Sequence, residues 1–413
     1  MNGREFDIVL WGASGFTGRL VAEYLVRKGS TRTLQIALGG RSRARIEEVR
    51  DALARIDPEA LGLPLLVGDG LDRQFVNALA ARSRVVCTTV GPYDLYGRPL
   101  VAACASAGTH YCDLTGEVPF IRDMIDAHHQ SALASGAMIV HSCGFDSVPS
   151  DLGVMMLQDE MHRRTGLFCK EIILCLLSVK GGVSGGTVSS MLNFVESAIR
   201  DSDIRDLAHD PYALNPSELR YGPEAPDATG VRFNTLANCW TAPFLMGRIN
   251  TRVVRRTNAL LDDVWGREFL YSESVCYGSG RTGMMKAWGA STFFALLQLT
   301  VRLRLVRSLL KKTVLPKPGE GPSATRRAAG NFEMRLTGRT EDEMGEHLVI
   351  SSRIRADTDP GYSETAKMLA ESALCLAQDD LSCAGGVLTP AAAMGPSLLA
   401  RLQEAGLRFE IRN

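Results

Sequence analysis

The sequence predicts an α/β fold in which a doubly wound parallel sheet precedes a second, α+β domain. Three observations carry that prediction. Short apolar runs alternate with helix-like stretches from residue 6 to about 155. Beyond that point the alternation fades, and longer runs suited to antiparallel pairing take over. The 413 residues also exceed what one hydrophobic core holds efficiently, so two domains are expected.

The elements follow in order. FDIVLW (residues 6–11) is an apolar-rich run, as a strand buried on both faces requires. Residues 16–28 set Leu20 with Tyr24 and Val21 with Leu25 at i, i+4, which suits a helix. Leu34–Leu38 is the next strand, ahead of a helix in GGRSRARIEEVRDAL. LPLLVGD (63–69), RVVCTTVG (84–91), THYCDLTG (109–116) and AMIVHSCG (137–144) recur as short strands. Helices over 71–82, 97–107 and 118–135 separate them. EIILCLLSVKGGVSGGTVSSMLNFVESAIR then reads as a strand, a glycine-rich turn and a long helix. Residues 201–235, rich in Asp, Pro and Asn, read as an extended surface loop. FEMRLTGRT and HLVISSRIRAD suit an antiparallel pair, and two helices joined by a glycine-rich link close the chain.

Composition narrows the function. The 46 basic and 46 acidic side chains cancel, which argues against a nucleic-acid binder. The ten cysteines are scattered without a CxxC pair, and they read as reduced core thiols of a cytoplasmic protein. No metal-ligand spacing occurs, so no metal is expected. The N-terminal apolar run is too short for a signal segment. Between Lys286 and Arg302 lie fifteen uncharged residues, whereas a spanning helix needs roughly 20. The continuation sets Leu303, Val306 and Leu310 on one helical face and Arg304, Arg307 and Lys311 on another. Residues 284–312 therefore suit either a peripheral membrane contact or a helix pair packed in a homodimer or domain interface.

The turn after the first strand, GASGFTG, carries the most specific chemistry. Gly12, Gly15 and Gly18 form G-x-x-G-x-x-G, a variant of the dinucleotide fingerprint. Such a turn needs an unusual φ, a backbone that approaches a pyrophosphate, and close helix–strand packing. Ser14, Phe16 and Thr17 lie between the glycines, and the following helix aims its free N–H groups at the phosphates. At the end of the second strand an NAD site would carry an acidic residue. Here Arg41 and Ser42 stand there instead, and a guanidinium suits the 2′-phosphate of NADP(H). Arg43 is either a second phosphate contact or a solvated helix-start residue.

Ligands of a doubly wound sheet bind outside the carboxyl ends of its strands. Gly91 and Pro92 would thus shape the turn beside the nicotinamide, with Tyr93 and Tyr96 as candidates to line the site. CDLTGE and HSCGFDSVPSD end their strands at the same edge, which makes Asp113, Glu117, Cys143, Asp146 and Ser147 available to a substrate. Cys143 lacks the His/Asn pattern of a nucleophile, and hydride transfer needs none.

Together FDIVLWGASGFTGRL, TTVGPYDLYGRPLVAACASAGTHYCDLTGE, IVHSCGFDSVPSDLG, VKGGVSGGTVSSML and NTRVVRRTNALL carry a resemblance. The chain resembles the saccharopine dehydrogenase-like oxidoreductases, more narrowly the trans-acting enoyl reductase subfamily of mycobacterial type. It departs from true saccharopine reductases at Asp146-Ser147-Val148-Pro149-Ser150, where those carry an aspartate-proline-glycine turn, and this counts against an amino-acid-type substrate. The resemblance implies a Rossmann domain over 1–155, an α+β substrate and dimerisation domain over 156–356, and helices over 357–413 that return to the first domain. It also implies NADPH-dependent reduction of an unsaturated acyl thioester, presented by a polyketide synthase carrier domain, in the making of phthiocerol-type lipids. For that reaction Tyr93 and Lys180 are the proton-donor candidates. The turn KGGVSGG, with Gly182 and Gly185, is either an oxyanion or phosphopantetheine site or purely structural. Two rival readings are reduction of an imine or ketone, and a non-catalytic, cofactor-bound protein at a lipid surface.

Overall fold

The computed structural model describes residues 3–181, 185–223, 227–301, 303, 306 and 321–412. Fourteen strands form two seven-stranded sheets among these residues. The strands are β1 (Phe6–Trp11), β2 (Ile36–Gly40), β3 (Leu65–Val67), β4 (Ser83–Thr88), β5 (His110–Cys112), β6 (Met138–Val140) and β7 (Glu171–Lys180). There follow β8 (Arg232–Asn234), β9 (Cys239–Pro243), β10 (Leu270–Cys276), β11 (Asn331–Glu341), β12 (His347–Ala356), β13 (Gly386–Leu388) and β14 (Arg408–Arg412). The first sheet runs β13-β6-β5-β4-β1-β2-β3 with every pairing parallel. The second is mixed, in the order β14-β12-β11-β7-β10-β9-β8. Fold class is therefore α/β, as the alternation of apolar runs dictates.

The helices are α1 (Phe16–Arg27), α2 (Arg43–Ala54), α3 (Arg73–Arg82), α4 (Tyr93–Tyr96), α5 (Arg98–Ala107), α6 (Val118–Ser135) and α7 (Val148–Thr165). Next come α8 (Gly185–Arg200), α9 (Ser202–His209), α10 (Gly247–Leu260) and α11 (Arg281–Val301). The last two used here are α12 (Thr365–Gln378) and α13 (Pro390–Glu404). Strands β1 and β4 expose almost nothing to solvent because helices cover both sheet faces, which explains their continuous apolar runs. Helix α12 packs on β1, β4, β5 and α1, while α13 packs on α7. One apolar core consequently runs from Leu10 and Val85 of the first sheet, through Leu369 of α12, to Leu174 and Leu336 of the second.

Four features differ from the sequence reading. Residues 201–235 are not all loop: Asp201 accepts a hydrogen bond from the Asp203 N–H and caps α9. The glycine-rich link before α13 contains β13, which extends the first sheet beside β6. The chain's last strand, β14, pairs with β12 and so belongs to the second sheet. Finally, the cysteines are not all reduced thiols. Antiparallel pairing of β9 with β10 brings Cys239 and Cys276 together as a disulfide, with Cα atoms 6.1 Å apart across a sequence separation of 37. Cys175 Sγ of β7 lies within 4.8 Å of both sulfurs.

Candidate active site

The glycine turn has a distinct reason for each glycine. Gly12 sits at φ 93°, a left-handed region that side chains avoid, and a Cβ there would lie 2.6 Å from Val90. A Cβ on Gly18 would lie 2.2 Å from the Gly12 carbonyl oxygen, so α1 can approach β1 only with hydrogen at that position. Gly15 caps α1 with extended backbone, no side chain caps the helix, and its first turn holds no acid. Its N-terminal N–H groups are left for an anion, and Gly15, Phe16 and Thr17 all face one cleft. Phe16 is held edge-on against Tyr362, with ring centroids 5.0 Å apart. These residues fit a pyrophosphate.

Beside the turn, β2 ends in Gly40, and Arg41 projects into solvent. Among the described residues Arg41 has no acidic partner within ion-pair reach, whereas Arg43 pairs with Glu47 at 3.7 Å, one helical turn on. Ser42 is the N-cap of α2, and its side chain makes no capping bond there. Of the two arginines, only Arg41 is without an acidic partner among the described residues.

From the turn a cleft of about 1100 Å³ runs between the sheets toward α8 and α11. Gly91, Tyr93, Leu114, Glu117, Asp146 and Glu273 are among its walls, as are Phe194, Phe294 and Leu297. Asp146 follows Phe145, whose N–H donates to Thr365 Oγ1 and whose ring stacks edge-on against Phe332. Gly144 permits this turn, since a Cβ would lie 2.8 Å from Leu114. The Asp146 carboxyl has no hydrogen-bond partner among the described residues, and burial pushes it up to about 6. Glu273 lies deeper. Its Oε1 accepts from Tyr271 Oη at 2.6 Å and its Oε2 from Asn250 Nδ2 at 2.8 Å. Burial pushes Glu273 to about 7.

The other sequence candidates have different surroundings. Tyr93 Oη donates to the Thr88 carbonyl and accepts from the Leu114 N–H at 3.1 Å, and burial drives its pKa well above the ordinary phenol value. Its hydroxyl is committed to joining two strand ends. Glu117 accepts from the N–H groups of Tyr93 and Asp94 and from Ser190 Oγ, which fastens α8 to the start of α4. Asp113 is fully buried behind the wall, where it accepts from Tyr111 Oη and the N–H groups of Thr115 and Ser142, with His141 Nδ1 2.8 Å away. Cys143 is also fully buried, and its thiol is pushed well above the usual range. Ser147 is buried and donates to Asn250 Oδ1 at 3.1 Å. None of Asp113, Cys143 and Ser147 forms part of the cleft wall. Pro92, Tyr96 and Lys180 are not part of that wall either, with Lys180 at the exposed end of β7 opposite Asn331. Gly182 lies outside the described residues, and Gly185 begins α8. The Ser147–Asn250–Glu273–Tyr271 chain is not legible in the sequence, because its first link joins residues 103 positions apart and its second residues 23 apart.

A dinucleotide turn with a free guanidinium at the second strand, opening on a largely apolar cleft that holds two carboxyls raised by burial, defines an NADP(H)-dependent oxidoreductase. Residues 8–140 match the saccharopine dehydrogenase NADP binding domain family. The fold is that of the L-Glu-forming saccharopine dehydrogenase of Saccharomyces cerevisiae, with TM-score 0.57 at 12% identity, covering 98% of this chain and 99% of that one. A Mycobacterium tuberculosis (strain H37Rv) protein, named provisionally a trans-acting enoyl reductase, is 46% identical over 98% of this chain and 97% of its own. The trans-acting enoyl reductase of Mycobacterium leprae is 41% identical over the same shares. The chain belongs to the trans-acting enoyl reductase family of saccharopine dehydrogenase-like oxidoreductases.

Proposed function

We propose that this reductase saturates the α,β double bond of polyketide or fatty acyl thioesters, in the biosynthesis of long-chain lipids of the phthiocerol type. The acyl chain arrives on the carrier domain of a separate synthase. The observation that carries this reading is the shape and lining of the cleft. It starts at the cofactor turn and continues along the apolar side chains Phe194, Val195, Ala198, Phe294 and Leu297 of α8 and α11. An extended hydrocarbon fits such a wall, whereas a small zwitterionic substrate would leave it wet. The names of the relatives support the same reaction.

When bound, NADPH supplies a hydride, which the β-carbon accepts. The α-carbon then needs a proton, and Asp146 is the group that gives it. Its carboxyl is poised near the working pH by burial, has no competing partner, and stands on the wall between the cofactor turn and the apolar reach. Tyr93 holds the floor in place instead, since both bonds of its hydroxyl are used. Glu273, locked by Tyr271 and Asn250, keeps the deeper end polar and ordered. Mass spectrometry of a synthase-bound enoyl chain tests the proposal. The chain should gain two hydrogens when this protein and NADPH are added, and an unchanged chain overturns it.

A further inference from the structure

Helix α11 has two apolar faces. Its inner face sends Ser291, Phe294 and Leu297 into the cleft and buries Ala287. Its outer face carries Met285 (71% exposed), Trp288 (57%), Phe293 (69%), Leu296 (56%) and Leu299 (62%). A helix on the surface of a water-soluble domain would be polar there. Of its 21 residues only Arg281 and Lys286 are charged, and both are basic. No helix among the described residues is long and apolar enough to cross a membrane.

The charge of the neighbouring chain says what covers this face. Between Glu273 and Glu320 the sequence holds eight basic residues and no acid, in a chain whose net charge is zero. Arg281 and Lys286 stand exposed on α11, and the other six fall outside the described residues. A second copy would bring the same positive charge to a two-fold interface, and the repulsion disfavours it. A purely acidic protein partner would match the charge and leave five large apolar side chains without a purpose. An anionic lipid surface takes both: apolar side chains enter the acyl boundary, an indole sits at the headgroup level, and basic residues meet lipid phosphates. The exposed Val179, Ile199 and Leu245 line the same cleft that receives Phe294, so that cleft too presents apolar side chains to the outside.

We infer that the outer face of α11, from Met285 to Leu299, docks on an anionic membrane surface, and that the long acyl chain of the carrier-borne substrate lies along that surface as it enters the cleft beside α11. The second half of this rests on the enoyl reductase reading, and the first half does not.

The test uses the full-length protein and the variant F293E/L296E/L299E, whose changes point into solvent and leave the cleft wall intact. M344E, at an 89% exposed apolar residue of the β11–β12 turn, is the control. The wild type and M344E should sediment with vesicles of phosphatidylcholine and phosphatidylglycerol, and less with phosphatidylcholine alone or at high salt. The triple variant should partition at least about tenfold less while binding NADPH unchanged, which shows that it folds. On a short, soluble enoyl thioester it should keep the wild-type rate, and on a vesicle-borne long-chain thioester it should lose it. Failure of the wild type to sediment overturns docking, as does equal sedimentation of all three proteins. A wild-type dimer that the triple variant splits assigns the face to a second copy and overturns it as well. Binding to an isolated acyl carrier domain without vesicle binding does the same. Vesicle binding by a protein that reduces no enoyl thioester leaves docking standing and refutes only the reductase reading.

Discussion

Arg41 and Asp146 are the two side chains on which the proposed chemistry turns, and each gives a measurable expectation. Arg41 has no acidic partner among the described residues at the end of β2, which leaves it available for the proposed contact to the 2′-phosphate. Arg41→Ala should weaken NADPH by about 10–100-fold, the worth of one charge-assisted contact, and NADH far less. Titration of both cofactors checks this, and equal losses would refute the assignment. Asp146 is held near 6 by burial. As the proton donor it must be protonated, so the rate of the reduction should fall as pH rises through about 6. Asp146→Asn should lower kcat about 10²–10⁴-fold and remove that limb of the pH profile. A variant that keeps the limb would place the proton elsewhere. The sequence offers Arg41 for the 2′-phosphate and Asp146 only as a residue available to substrate, since strand ends form the ligand edge of a parallel sheet. It names Tyr93 and Lys180 as the proton donors instead. The commitment of Tyr93 was not legible, since its partners Thr88 and Leu114 come from two different strand ends.

At the level of elements, the glycine turn and helix α7 show how local sequence and distant contacts divide the work. The turn is local, and its spacing was readable because Gly12 takes a left-handed φ of 93° and Gly18 answers the Gly12 carbonyl within the same β1–α1 unit. Gly18→Ala would set a Cβ against the Gly12 carbonyl, and it should cost more than about 2 kcal/mol of stability together with cofactor affinity. Chemical denaturation and NADPH titration read the two losses. Helix α7 instead depends on segments far away in the chain. Asp151 in its first turn accepts from Thr257 Oγ1 of α10 and from the Ala391 N–H of α13 at 2.8 Å. Burial raises this carboxyl from 3.8 to about 7, so the folded state holds a proton that the unfolded chain releases. Its contribution to stability is full below about pH 4 and is lost as pH rises through about 7. Asp151→Asn should therefore gain stability relative to the wild type between those values, read as the difference in Tm at pH 5 and pH 7.5. An unchanged difference would contradict the assignment. Strand β14 and the Cys239–Cys276 pair escaped the sequence reading for the same reason: their partners are set by the second sheet's register, which local pattern does not encode.

On the scale of the whole molecule, the two sheets and the shared core place a cofactor turn at one end of a long cleft and an apolar wall at the other. The division of labour explains what sequence pattern could and could not say. Phosphates are recognised by backbone in one turn, so the cofactor is written in a few adjacent residues. The proposed hydrocarbon substrate would meet a wall assembled from α8, α10, α11 and the strand ends, so its signal is spread over the chain. The substrate class is the central claim, and isotope transfer tests it most directly. With NADPH deuterated at its transferable position and an α,β-unsaturated acyl thioester as substrate, one deuterium should appear at the β-carbon and one solvent hydrogen at the α-carbon. Deuterium on a former carbonyl or imine carbon, or none in the acyl chain, would contradict enoyl reduction.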